Sequence, residues 1–262
     1  YLANNFFNME PATADRPFFY SILPLSRVGA LLARISLIPQ QEIGYLINLA
    51  VLAQAVLFAL LILLLPLIKF KGAEGKKTSL LKMAIYFSAI GLGFLFVEIM
   101  LIEKFSYFLN DSTSSFAVVL SSMLLFSGMG SFYSARFSKR AFDGIKIAAR
   151  MIFIMLVFYL LFLNGIISAL ITFPFLLKCA AIIIITAPLS FAMGFVFPSG
   201  ISALKGRTAS LLPWAWAING AFSVIATPLA NILAVTYGYN VLLLISIALY
   251  SLILISFPSG KV

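Results

Sequence analysis

The sequence predicts an all-α fold: a polytopic transmembrane helical bundle of about seven spans, with an amphipathic interfacial segment near its N-terminus. Three observations predict it. The 262 residues are 63% hydrophobic and 10% charged, with a mean hydropathy of +1.11, whereas soluble domains carry about 25% charged residues. Several apolar runs reach the roughly 20 residues that about 30 Å of hydrocarbon demands of a helix. Charge is confined to the gaps between those runs. A spanning segment must satisfy its own backbone, as a helix or in a closed barrel. These runs are too long for barrel strands and do not alternate, so helices are expected.

Residues 1–20 are polar, aromatic and turn-rich (Asn4, Asn5, Pro11, Thr13, Asp15, Arg16, Pro17) and read as the tail of a preceding soluble domain. The chain starts at Tyr1, and no charged n-region with an apolar h-region precedes the first span; it reads as part of a longer polypeptide. Over 21–43, Ile22, Leu25, Val28, Leu32 and Ile35 recur at helical spacing, with Arg27 and Arg34 on a polar side. That is the pattern of a helix lying in the interface plane; a buried soluble helix shows the same periodicity. The remainder, 44–262, reads as one seven-helix transmembrane domain.

The first span is expected at 44–68. Lys69, Lys71, Lys76, Lys77 and Lys82 follow it. The second covers 83–102 and ends at Glu103 and Lys104. A polar turn at 110–115 leads to the third, 116–134. Arg136, Lys139, Arg140, Lys146 and Arg150 form the next basic stretch. The fourth covers 151–170, and Pro174 and Lys178 mark a tight return into the fifth, 175–197. Lys205 and Arg207 separate it from the sixth, 214–235. A turn at 237–240 opens the seventh, 241–257. The loops after the first, third and fifth spans hold five, five and two basic residues; Lys104 and Lys178 are the basic residues on the opposite side. By the positive-inside rule those three loops are cytoplasmic. The C-terminus with Lys261 joins them, and residues 1–43 fall on the outer face.

Eighteen Lys and Arg against eight Asp and Glu give a net charge of +10. Because the basic residues occupy loops between apolar spans, the partner they imply is a lipid bilayer and not nucleic acid. The chain has no His. That removes a Ser/His/Asp triad, bis-histidine haem, most zinc and copper sites, and the commonest general base. No metal and no cofactor is expected. The lone Cys179 cannot close an internal disulfide and reads as a small hydrophobe.

Four features carry possible chemistry. Glu98 lies within the second span, where an ionisable group costs several kcal/mol unless paired, neutralised or wetted. It is either a proton, cation or substrate site or a structural carboxylic acid. Asn219, Ser223, Thr227 and Asn231 step by four along the sixth span, a drifting face that serves as helix glue or as a cavity lining. Gly220 allows close approach there, and Pro228 predicts a kink. The fifth span carries Pro188, Ser190, Gly194, Pro198 and Gly200. Breaks at Pro188, Gly194 and Pro198 are expected, as in transporter helices that line binding sites, or as a simple helix end at Pro198. Ser127-Gly128-Met129-Gly130-Ser131 predicts close helix packing. Trp214 and Trp216 fall at an expected interface. Gly93-Phe94-Leu95-Phe96 and Gly194-Phe195-Val196-Phe197 are alike, but four residues in Phe-rich sequence match by chance.

Several segments, taken in order, resemble the C-terminal membrane domain of bacterial spermidine synthase-like (polyamine aminopropyltransferase-like) integral membrane proteins. Ala14-Asp15-Arg16-Pro17-Phe18-Phe19-Tyr20 is similar to their "TDDRPFF" stretch. Gly93-Phe94 through Glu98-Ile99 to Phe105 is similar to "GFxxxEIxLIQKF". Phe116 through Ser131 is similar to "ALAVVLxxLLLFSGLGS". Gly194 through Gly200 is similar to "GxxFPxG", and Pro213 through Gly220 to "PWAWGxNG". The likeness covers about 12–250. It departs at Ala14, where the family has an acid, and at Asn110-Asp111-Ser112, which replaces a Gly-His-Pro turn. In that family a soluble Rossmann-like domain precedes the membrane block. Its glycine-rich nucleotide loop and acidic catalytic residues are absent here, so the resemblance transfers no active site.

The resemblance implies a non-catalytic anchor or assembly subunit in the bacterial cytoplasmic (inner) membrane, with further membrane or periplasmic subunits as partners. Two alternatives stand beside it: a transporter or channel for a small polar or cationic solute, and the membrane part of an S-adenosyl-dependent transferase whose catalytic domain lies upstream. S-adenosyl compounds are cytosolic, which conflicts with an outer placement of residues 1–43. The chain itself carries no catalytic constellation.

Overall fold

The computed structural model describes residues 13, 15–17, 43–69, 77–205 and 211–256. Of the expected interfacial segment, 21–42 lies outside the described residues. Among the described residues there is no strand, and the chain forms seven α-helices. These are α1 (Ile43–Lys69), α2 (Lys77–Leu109), α3 (Ser112–Ser134), α4 (Ala141–Leu170), α5 (Phe175–Lys205), α6 (Leu212–Tyr237) and α7 (Tyr239–Ser256), with a 3-10 turn Ala135–Arg140 between α3 and α4. Six are long and apolar enough to cross a membrane, which makes this a multi-pass membrane protein. The seventh, α7, is apolar but shorter. Its 18 residues rise about 27 Å, just under a hydrocarbon core of roughly 30 Å.

Helix α2 is the hub. It packs against α6, α7, α3 and α5, while α3 and α4 flank α5, and α1 leans on α6 alone. The core follows α2: Tyr86, Phe87, Val97, Met100, Leu101 and Phe105 are fully buried. Helix α1 attaches through Tyr45, Leu49 and Leu52 against Ile232 and Val235, and through Asn48, whose amide donates to the Pro228 carbonyl at 3.0 Å. Cys179 packs on the core as a small apolar group.

The helices run past several expected ends. Helix α2 does not stop at Glu103 and Lys104 but continues to Leu109. Its terminal carbonyls then find a partner in Lys178, whose Nζ donates to the Phe108 oxygen at 3.1 Å. Asn110 follows with φ 55°, a left-handed turn that Asn tolerates. Asp111 caps α3, accepting from the Thr113 and Ser114 amides. The expected breaks in α5 do not interrupt it: the helix is continuous through Pro188, Gly194 and Pro198 to Lys205. Each proline removes one backbone donor, and hydroxyls serve carbonyls near the gap. Tyr159 donates to Ile185, Ser199 to Phe195 at 2.8 Å, and Tyr86 to Val196 at 2.7 Å.

The small residues of α3 do what their size suggests. A Cβ at Gly130 would land on the Phe191 carbonyl, and one at Gly194 on the Ser127 carbonyl, so α3 and α5 touch backbone to backbone. Deeper in the same contact the Ser122 and Thr186 hydroxyls meet at 2.6 Å. Thr186 gives its proton to Ile182 O at 2.9 Å, which leaves Ser122 as donor between them.

Gly130→Ala or Gly194→Ala should therefore wedge α3 from α5 and destabilise the fold by about 1–3 kcal/mol. Gly128→Ala, whose Cβ meets nothing within 4 Å, should leave stability unchanged. Thermal unfolding in detergent distinguishes them. At the other end of α3, hydrogen bonds from Ser114 hold the Asp111 carboxyl below its ordinary range. A depressed folded value means the cap is complete above the ordinary carboxylate value and is lost as pH falls through the lower folded one. Hydrogen exchange at the Thr113 and Ser114 amides should quicken over that acid window in the wild type and be fast at all pH in Asp111→Ala.

Candidate functional site

The polar residues that sequence singled out fall in two groups. Asn219 and Ser223 face α2: the Asn219 amide donates to Phe87 O at 3.2 Å and the Ser223 hydroxyl to Asn219 O at 2.9 Å. The helices approach so closely here that a Cβ at Gly91 would lie 2.6 Å from the Asn219 carbonyl. Thr227 and Asn231, two turns on, have drifted to the exposed side of α6. A four-residue step gains about 40° on each repeat, so the row begins in an interface and ends outside it.

Glu98 is 9% exposed, and among the described residues its carboxyl has no hydrogen-bond or ion-pair partner. It shares one face of α2 with Gly91, Phe94 and Leu95, at offsets of seven, four and three. That face floors a cleft of about 420 Å³ whose walls include Ser127 and Gly128 of α3, Gly194 and Pro198 of α5, and Asn219 and Ser223 of α6. Thus Gly194 and Pro198 meet Asn219 and Ser223 at one place, and Glu98 stands one turn beyond. Pro188, Thr227 and Asn231 are not part of it.

A second polar site was not foreseen. Lys104 is 7% exposed and its ammonium binds three oxygens: Asn164 Oδ1 at 3.0 Å, Asn240 Oδ1 at 3.2 Å and Asp15 Oδ1 at 3.5 Å. These come from α4, α7 and the segment ahead of α1. Three donors on one ammonium meet three acceptors, so its hydrogen-bonding capacity is filled. Asp15 is further held by the Asn240 amide at 3.1 Å, and its carbonyl accepts from the Tyr239 amide at 3.0 Å. Arg16 Nε donates to Val235 O at 2.9 Å, a terminal carbonyl of α6. Between these contacts lies Gly238 at φ 90°, where a Cβ would strike the Asp15 carboxylate. Beside the cluster Tyr239 donates to Glu103 at 3.1 Å. Asp15 and Arg16 are therefore seated on the bundle, where sequence reading left them as a tail. The overlooked signals were Lys104 in continued helical register and Asn164 alone in an apolar run; their partners lie 60 to 136 residues away.

Comparison with protein-family models, curated proteins and solved structures gives no match to this chain.

Removing Lys104 leaves the Asn164 and Asn240 oxygens unpaired and Asp15 with one backbone donor. Lys104→Met should lower stability by about 1–3 kcal/mol, read as a reduced Tm in detergent. An unchanged Tm would mean that the cluster holds nothing together.

Proposed function

We propose that this chain is a membrane-anchoring domain that holds the segment preceding it, and whatever polar module that segment carries, in a fixed position against one end of the bundle. The observation that carries this reading is the seating of Asp15 and Arg16 across α6, α7 and Lys104. A flexible tether needs no such contacts, whereas a module that must keep one orientation does. The resemblance of 14–20 and the later segments to spermidine synthase-like membrane proteins supports the same reading, with a soluble domain upstream and no catalysis in the bundle. The cationic 3-10 turn after α3 faces the cytoplasm on this reading, as the positive-inside rule requires. The Lys104 end and the C-terminal end of the protein then lie on opposite faces of a bacterial inner membrane.

The Tyr239 and Asn240 amides report the docking, because both donate to Asp15. In Asp15→Ala they should exchange with deuterium about tenfold faster or more, corresponding to about 1.4 kcal/mol of lost protection, while amides in the middle of α2 stay protected. Equal exchange in wild type and variant would remove the basis for an anchored segment.

A further inference from the structure

The anchoring role leaves Glu98 and the cleft beside it unused. The cleft lies between α3 and α6, which both pack on α2 while α3 reaches across to α5. Its floor at Gly91 is ten residues into the apolar stretch that begins at Leu81, about 15 Å deep. Leu124 on its wall is 58% exposed, so it opens on the lipid-facing side of the bundle. Apolar side chains make up most of its surface; Ser127, Ser131, Asn219 and Ser223 supply the polar side chains, and the last two spend donors on backbone carbonyls. Glu98 is not among the lining residues; it stands one helical turn beyond Phe94 and Leu95, which are. Side chains on a helix lean back over the preceding turn, which here is Phe94 and Leu95, the floor of the cleft.

An ionised carboxyl at this depth costs several kcal/mol without a counter-charge, and no described residue pairs with it. The described residues of α3, α6 and α7 include no Asp, Glu, Lys or Arg. On α5, Lys178 is spent on Phe108 O and Lys205 is the last residue of the helix; on α2 itself Lys104 is spent on Asp15, Asn164 and Asn240, Glu103 accepts from Tyr239, and Lys77 and Lys82 belong to the opposite end. The titratable hydroxyls on the packed helices are Tyr133 of α3, Tyr237 of α6, and Tyr239 and Tyr250 of α7, and none forms a hydrogen bond with Glu98. A buried acid that finds no base among the described residues, set at the edge of a largely apolar chamber open to lipid, is matched by a ligand that brings both the charge and the greasy body.

We propose that this cleft binds a lipophilic organic cation from the membrane, with Glu98 as its counter-ion. The ligand carries one positive charge, because one carboxylate neutralises one charge and the walls of the cleft carry no other charged group. A polyvalent hydrophilic cation would leave its other charges unpaired against Phe94 and Leu124. As the cation enters, the Glu98 carboxylic acid releases its proton to water, and the cleft remains neutral in both states. The apolar substituents fill the space over Gly91 and Gly128.

The test is equilibrium binding of tetraphenylphosphonium to the purified full chain in mild detergent. The wild type should bind saturably and release a proton as it does. Glu98→Gln should weaken binding about tenfold or more, since even a screened ion pair in a low-dielectric site exceeds the roughly 1.4 kcal/mol this represents. Gly128→Leu keeps the carboxyl and fills the chamber, because a side chain there meets no protein atom at its Cβ; it too should abolish binding. Absence of saturable binding to the wild type would overturn the proposal. So would binding to Glu98→Gln that equals wild type, which would make the cleft a seat for acyl chains only. Should Glu98→Gln fail to fold, unchanged affinity in Gly128→Leu overturns it independently.

Discussion

Hydrocarbon offers no hydrogen bonds, and the arrangement of this bundle follows from that. Each hydroxyl carried into the apolar interior must close a bond within the protein or stay dry at a cost of a few kcal/mol. Thr186, Ser190, Thr236 and Ser251 each bond the carbonyl four residues back. Tyr86 and Tyr159 reach across to α5 where prolines have thinned its ladder. Lys104 is tolerated because three oxygens from three segments converge on it. The same constraint makes Glu98 conspicuous: among the described residues its buried carboxyl finds no acceptor and no donor.

Helix α2 is where these demands meet. Its faces are shared among four other helices, and the closest approaches are made where a side chain is missing or small. Gly91 lets α6 lay its Asn219 backbone against α2, and the Gly130–Phe191 and Ser127–Gly194 contacts draw α3 onto α5. Where α3 and α6 diverge, nothing fills the gap beside Gly128, and the cleft is the result. A bundle tied by a few close crossings leaves openings between them, and here the opening falls one helical turn from a buried acid with no partner among the described residues.

The helical class and the spans were legible because they depend on long runs of apolar residues, which need no partner to be recognised. The close packing of 127–131 was legible for a similar reason: small residues at four-residue spacing have few other uses in lipid. Helix ends were less so. Charge at Glu103 and Lys104 looked like a boundary, yet Lys104 stays inside because Asn164, Asn240 and Asp15 await it. The prolines of α5 looked like breaks, yet hydroxyls from α2 and α4 offset the lost bonds. In each case the deciding atoms belong to distant segments, and local pattern carries no trace of them. The split of Asn219 and Ser223 from Thr227 and Asn231 was half visible, since the angular drift is known but the position of α2 is not.

Asp15 and Asn240 are 225 residues apart, which bears on the order in which the molecule is made. The stretch holding Asp15 leaves the ribosome before any helix of the bundle, and its seat on Val235, Gly238 and Asn240 emerges only after α6. Until the corner between α6 and α7 has been made, that stretch has nowhere to settle. The latch thus closes last, and it closes only on a bundle whose helices have all been delivered.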